Sequence, residues 1–237
     1  MEALSKIKTN KKDRPIKVLQ FGEGNFLRAF VDYMIDIANE QGKFDGDIVL
    51  VKPIEFGSVD YIKAQECQYT VQLRGIVDGQ PQKLNRIITS VADVVDSYGE
   101  YDRYAEYAKL DTLRFIVSNT TEAGITYDES DKLEFMPPKS FPGKLTKFLY
   151  ERYTYFNGAM DKGLVMLPVE LIDDNGIHLK ECVLKLADLW QLEEGFVNWV
   201  NEACVFTSTL VDRIVTGYPR DEAEAIWEEF GYEDRML

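Results

Sequence analysis

Ile16-Lys17-Val18-Leu19-Gln20-Phe21-Gly22-Glu23-Gly24-Asn25-Phe26-Leu27-Arg28-Ala29-Phe30 is the stretch that decides the fold. Its first six residues are β-prone and stop at Gly22. From Phe26 to Asn39 the apolar residues Phe26, Phe30, Tyr33, Met34 and Ile37 recur at spacings of three and four, which predicts a helix. Gly42 stands where a helix stop is expected. Two glycines therefore lie between a strand and a helix. Gly22 suits a tight turn, and Gly24 suits a point where backbone must approach a ligand closely. The helix beyond offers free N–H groups to a phosphate. The usual dinucleotide fingerprint has a third glycine, and Leu27 takes its place here. On local sequence alone, nucleotide binding and an ordinary strand-to-helix turn both remain open.

Working outward, Asp47 to Val51 reads as a second strand closed by Pro53, so the opening segment is β-turn-α-β, the unit of a parallel sheet. Tyr69 to Leu73 and Leu84 to Ser90 are strand-like, with the hairpin signal Asp78-Gly79 between them. Helical sequence from about Tyr101 to Lys109 follows. Leu113 to Ser118 is the next buried strand, with the polar loop Asn119-Thr120-Thr121-Glu122-Ala123-Gly124 at its carboxyl end. A helix from Leu145 to Asn157 precedes a strand at Leu164 to Leu167, and Asp173-Asp174-Asn175-Gly176 reads as a turn. Helices are expected over Leu179 to Leu189, Phe196 to Glu202 and Asp221 to Phe230. The fold class is α/β: a Rossmann-like, doubly wound, mostly parallel sheet with an inserted antiparallel ribbon and a helical C-terminal stretch. Residues 1–15 read as a tail, 16–215 as the nucleotide-binding domain and 216–237 as the start of a helical domain.

Composition excludes several classes. The chain has 237 residues, 45% of them hydrophobic and 12% aromatic, enough for a sizeable core. A net charge of -14 repels nucleic-acid phosphates and anionic membranes. An anionic cofactor stays possible, because a helix N-terminus attracts phosphate locally. Cys67, Cys182 and Cys204 are odd in number and widely spaced, which argues against disulfides or a zinc site and fits a reducing cytoplasm. Residues Met1 to Arg14 lack the apolar core of a signal peptide. No run of about 20 apolar residues is present to span a membrane.

Cofactor choice is open at the second strand's end, Val51-Lys52-Pro53-Ile54-Glu55. Glu55 is a candidate acid for ribose hydroxyls, which would mean NAD. Lys52 could instead attract a 2′-phosphate, which would mean NADP. A methyltransferase shares the strand, Gly-x-Gly, helix opening, but the missing clean acid and the ribbon speak against it. His178, the one histidine, reads as structural or exposed. The acidic run Glu222 to Glu229 reads as a solvated helix face. Tyr98, Tyr101, Tyr104 and Tyr107 recur at a three-residue spacing that helix packing explains.

Gln20 to Phe30 resembles the first signature of the polyol-specific long-chain dehydrogenases, the mannitol dehydrogenase family. In that family Gly-x-Gly followed by Asn-Phe and Arg-Ala replaces the three-glycine pattern. Three further segments agree in order: Val117 to Ile125, Ser140 to Leu145, and Leu210-Val211-Asp212-Arg213-Ile214. The opening Gln-Phe-Gly-Glu-Gly is similar to the family's tagaturonate-reducing branch. The resemblance implies metal-free hydride transfer between a nicotinamide and a secondary alcohol or ketone, with D-altronate and D-tagaturonate as the pair. It implies cofactor contacts from Phe21, Gly22, Gly24, Asn25, Phe26, Arg28, Asn119, Thr120, Thr121 and Glu122. Lys144, Glu170, Asp212 and Arg213 are its cleft candidates; Lys144 and Arg213 are cations that a hexuronate carboxylate would need. Asp212 and Arg213 also read as an ion pair at a domain junction.

Two departures matter. The family's catalytic lysine lies in Lys-x4-Asn-x2-His, which this sequence lacks. That residue is expected beyond Leu237 in a helical domain, so this stretch alone is expected to bind cofactor without turning over. The family's Cys-Asp-Asn segment falls at Val169-Glu170-Leu171, where Glu170 takes the Asp place and Leu171 the Asn place. The oxyanion role does not carry to Leu171.

Overall fold

The structure, a computed structural model, describes residues 1–121 and 124–237. Strands β2 (Ile16–Phe21), β3 (Asp47–Lys52), β6 (Val91–Asp96), β7 (Phe115–Ser118), β8 (Val165–Pro168) and β9 (Val205–Phe206) form one sheet in the order β6-β3-β2-β7-β8-β9. Every pairing in it is parallel. The first strand of the sheet lies in the middle, and the chain winds outward to both sides, as the opening β-turn-α-β reading requires. β3 is buried along its whole length. That explains its unbroken Ile48-Val49-Leu50-Val51 run, because a strand covered on both faces has no polar side.

Asn25–Leu27 (α1) starts helical, Arg28–Asp32 widen into a π turn, and Tyr33–Glu40 (α2) resumes the α-helix. One apolar cluster lies between this run and the sheet and includes Val18, Leu27, Ile48, Leu50 and Val117. The opposite cluster joins Leu19, Phe21, Val49 and Ile116 to α5 (Phe141–Tyr155), α6 (Asn175–Leu189) and α7 (Glu194–Glu202). Arg152 on α5 is buried and donates to the carbonyls of Lys162, Ala108 and Leu110 at 2.7–2.9 Å, tying the segment after α4 to the segment before β8.

The expected ribbon is present. β4 (Tyr69–Val77) and β5 (Gln80–Ile88) pair antiparallel around Asp78-Gly79, both at positive φ. The sequence reading missed β6, the six-residue edge strand after the ribbon, and also α3 (Asp60–Ala64) and the two-residue β9, which are too short to show a period. Tyr104 of α4 (Tyr101–Glu106) is buried, and Tyr101 and Tyr107 donate to Glu151 and Asp93, so these three pack as expected, whereas Tyr98 lies in the turn before the helix and accepts from Lys144.

Both segments expected outside the α/β unit are tied to it here. In residues 1–15, β1 (Glu2–Ala3) pairs with β10 (Tyr232–Glu233), and Leu4 is fully buried. In residues 216–237, Asp234 accepts from Gln65 at 2.9 Å, and Met236 joins the α1-side cluster. The glutamates of the run Glu222 to Glu229, on and just before α8 (Ala223–Phe230), are exposed as expected, and Glu222 and Glu229 pair at the surface with Arg74 and Lys83 of the ribbon at 2.9 and 3.3 Å. The three cysteines are free and buried. Among the described residues no helix is long and apolar enough to cross a membrane, and no group of acidic, His and Cys side chains could hold a metal ion.

Candidate functional site

At the carboxyl ends of β2, β3 and β7 lies a cleft of about 770 Å³. The glycine loop forms its floor, with Pro53 and Ile54 on one side and the loop after β7 on the other. Sheet order reverses between β2 and β7, so the connections leaving these two strands run to opposite sides and leave a crevice at their carboxyl ends.

Each glycine has its own reason. Gly22 has φ +118, and a Cβ there would meet the Asn119 carbonyl at 3.0 Å. A side chain would therefore both strain the turn and push β2 and β7 apart. Gly24 has ordinary φ -69, and a Cβ would meet nothing within 4 Å. Its bareness serves no packing need; it leaves the helix start open to the cleft. Gly24 is the N-cap, and no side chain caps the helix. Uncapped first-turn N–H groups beside a roomy cleft are what a pyrophosphate requires. The residues present thus fit a dinucleotide.

The loop after β7 is braced from behind. Glu170 is 2% exposed and accepts from Ser118 Oγ at 3.0 Å, Thr120 N at 3.0 Å and Thr120 Oγ1 at 2.9 Å. Asn119 Nδ2 donates to the Val169 carbonyl at 3.0 Å. Asn175 Nδ2 donates to the carbonyls of Pro168, Glu170 and Thr209, and Thr209 N donates back to Asn175 Oδ1 at 2.9 Å. Gly176 lets this knot close, since a Cβ there would stand 2.3 Å from the Thr207 carbonyl.

Of the residues expected at the cofactor, Gly22, Gly24, Asn119, Thr120 and Thr121 line the cleft. Glu122 lies outside the described residues. Asn25 is exposed at the helix start. Phe21 is buried beneath the floor, with its ring 5.1 Å from that of Phe141. Phe26 packs on Phe30 and the α1-side cluster. Arg28 turns away from the cleft: its guanidinium sits 5.1 Å over the Tyr69 ring and donates to the Met236 carbonyl at 2.9 Å and to Asn25.

The cleft candidates part company. Glu170 braces the loop without lining the cleft. Lys144 is 1% exposed, and its Nζ donates to the Lys139 carbonyl at 2.7 Å and to Tyr98 Oη at 3.1 Å. Burial pushes its ammonium down to about 8. Asp212 is exposed and Arg213 lies 5.1 Å over the Tyr33 ring. Among the described residues no ion pair joins the two. Leu171 is 61% exposed and His178 is exposed.

At the end of β3, Lys52 is not a surface cation. It is 1% exposed, pairs with Asp96 at 3.0 Å and donates to the carbonyls of Glu55, Phe56 and Gly57. It shapes the loop from inside. Burial opposes ionisation of Asp96, but the Lys52 ammonium and two backbone N–H groups hold its carboxyl below the usual range. Glu23 in the cleft is shifted the other way, raised by burial.

The sequence reading named Ser140 to Leu145 as a matching segment but gave Lys139, Ser140 and Phe141 no place at the cofactor, and here they form the far wall. Ser140 caps α5 by accepting from Gly143 N at 2.9 Å, and buried Asp131 accepts from Ser140 Oγ at 2.5 Å. A serine two residues before Pro142 is a legible helix start. It would have begun the helix at Phe141 rather than Leu145 and brought its N-terminus to the cleft.

The sheet order and the glycine floor define a dinucleotide-binding α/β protein. The model of the mannitol dehydrogenase Rossmann domain matches residues 16–236, and the chain belongs to the mannitol dehydrogenase family. Altronate oxidoreductase of Bacillus subtilis (strain 168) is 48% identical over 223 residues, which are 94% of this chain and 46% of that protein. That of Pectobacterium atrosepticum is 48% identical over 235 residues, 99% of this chain and 48% of that protein. The chain spans about half the length of the curated relatives it matches. Among solved structures, Pseudomonas fluorescens mannitol 2-dehydrogenase, in a ternary complex with NAD and D-mannitol, superposes with a TM-score of 0.78 at 21% identity over 94% of this chain and 47% of that one. Substrate-free D-sorbitol dehydrogenase gives 0.77 at 20% identity, covering 100% of this chain and 52% of that one. These two likenesses speak to the fold.

Proposed function

We propose that this chain is the cofactor-binding half of an NAD-dependent oxidoreductase that interconverts D-tagaturonate and D-altronate. The carrying observation is the open, uncapped helix start at Gly24 on a floor closed by the Gly22–Asn119 contact. The identity to altronate oxidoreductases along nearly the whole chain supports the substrate pair. The glycine loop holds the pyrophosphate, and the loop from Asn119 to Thr121 flanks the nicotinamide. A bound nicotinamide supplies or accepts the hydride; the residues here bind it, orient it and exclude water. Lys52, spent inside the protein, leaves the 2′ position without that cation, which favours NAD over NADP. Reduction of a ketone also needs a proton donor at the carbonyl oxygen. No Lys-x4-Asn-x2-His occurs in these residues, so the donor comes from outside them. Residues 16–236, including the stretch after 215, form the cofactor-binding unit in this reading.

Titration of the 237-residue chain with NADH, NADPH and S-adenosylmethionine tests the first half of the reading. NADH is expected to bind most tightly; preference for S-adenosylmethionine overturns it. Turnover of tagaturonate by this chain alone, at ordinary dehydrogenase rates, would overturn the placement of the proton donor.

A further inference from the structure

Behind the glycine loop lies a polar network that the cofactor reading does not use. Asp32 ends the π turn and is fully buried. Its Oδ2 accepts from Tyr69 Oη at 2.5 Å, and its carbonyl accepts from Ser90 Oγ at 3.0 Å. Its Oδ1 has no partner. Gln20, on β2 and also fully buried, donates from Nε2 to the Gly22 carbonyl at 3.2 Å, and its Oε1 has no partner. The two side chains lie within hydrogen-bonding reach of each other.

Donor and acceptor counting resolves both orphans. The Gly22 carbonyl can only accept, so the Gln20 amide must turn Nε2 towards it. Oε1 then faces Asp32, acceptor against acceptor, in a site without water access. An ionised carboxylate would take the amide N–H and swing Oε1 onto the Gly22 carbonyl. A single proton on Oδ1 gives Asp32 Oδ1 and Gln20 Oε1 a partner each. We propose that Asp32 is a positioning residue of the cofactor loop: it keeps its proton and donates it to Gln20 Oε1, which holds Gln20 Nε2 on the Gly22 carbonyl.

The surroundings agree. Arg28, from the same helical run, faces Asp32; its Nη atoms donate to Met236 and Asn25, its buried Nε has no partner, and no ion pair is formed with Asp32. Asp36, one turn on, adds negative charge and is itself paired with Arg86 at 2.6 Å. Tyr69 from β4 remains a phenol, its ionisation pushed far up by burial and by Asp32. Burial raises Asp32 to about 7 against the donation from Tyr69, the charge of Arg28 and the neighbouring Gln20 side chain, with the charge of Asp36 adding to the rise.

This inference rests on reading Gly22 to Gly24 as the cofactor loop. Its test uses two readouts on the wild-type chain and on Asp32→Asn, whose amide keeps both hydrogen bonds without a proton to lose. The first is the infrared carbonyl band of a protonated buried carboxylic acid, recorded without cofactor. The band is expected in the wild type at about pH 6, fading with a midpoint near 7, and absent from Asp32→Asn. The second is the NADH dissociation constant from about pH 5 to about pH 9. Wild-type affinity is expected to fall about tenfold above the midpoint, one hydrogen bond's worth, while the Asp32→Asn profile stays flat there. A missing band, or equal pH profiles, overturns the inference. If NADH fails to bind at any pH, the cofactor reading falls while the band still decides where the proton sits.

Discussion

Glu170 Oε1 accepts both the backbone N–H and the hydroxyl of Thr120, at 3.0 and 2.9 Å, from the far end of the neighbouring strand. A residue expected to meet substrate instead fixes the loop beside the glycine floor. Glu170→Ala removes that acceptor and leaves buried donors unpaired, at a cost of about 2–4 kcal/mol. A fall of roughly 5–10 °C in Tm follows for a chain of this size, together with weaker NADH binding. Thermal melts and a fluorescence titration check both. Unchanged values would show that Thr120 is held by other contacts.

The two glycines of the loop should separate under substitution. Gly22→Ala meets positive φ and the Asn119 carbonyl at once, so it is expected to lower stability by about 1–3 kcal/mol and to abolish tight NADH binding. Gly24→Ala has room and an ordinary φ, so its melting temperature should match the wild type. Its new methyl group stands where the pyrophosphate would lie, and NADH affinity should fall at least about tenfold, more than 1.4 kcal/mol of binding. Equal loss of stability in both would overturn the division of roles.

Lys144 gives a test by pH. Burial lowers its ammonium to about 8 in the folded chain, against 10.5 when free. Between these values the unfolded chain holds more proton, so this group adds stability as pH rises from about 8 to about 10.5 and withholds it below. Denaturant titrations should show that rise in the wild type and lose it in Lys144→Met. The same variant should bind NADH within about twofold of wild type, less than 0.5 kcal/mol, because Nζ points to Tyr98 and Lys139 rather than into the cleft. A large loss of affinity would return Lys144 to the site.

The fold was legible because its signals are periodic or conformational. Ile48 to Val51 had to be an inner parallel strand, and Asp78-Gly79 had to be a hairpin. The glycine loop was legible for the same reason: few other residues meet its turn. The roles of Lys52, Lys144 and Glu170 were not. A lysine at a strand end and a lysine near a helix start look alike whether the ammonium points out or in. Only three-dimensional packing shows the carbonyls of Glu55, Phe56 and Gly57 closing on Lys52. The Asp32–Gln20 pair was equally hidden, because a π turn leaves no mark in the spacing of apolar residues.

The sheet order has a consequence for how the protein is born. Val18 pairs on one side with Ile48 and on the other with Phe115, and Gly22 rests on the carbonyl of Asn119. On the ribosome the glycine loop is therefore made early and stays without its second wall until β7 emerges. At translation speeds of about 5–20 residues per second that interval is on the order of 5–20 s. Over that time β2 has one free edge. A nascent chain stalled before Phe115 should present that edge to chaperones and bind no nucleotide, and one stalled well beyond Asn119 should begin to do the reverse.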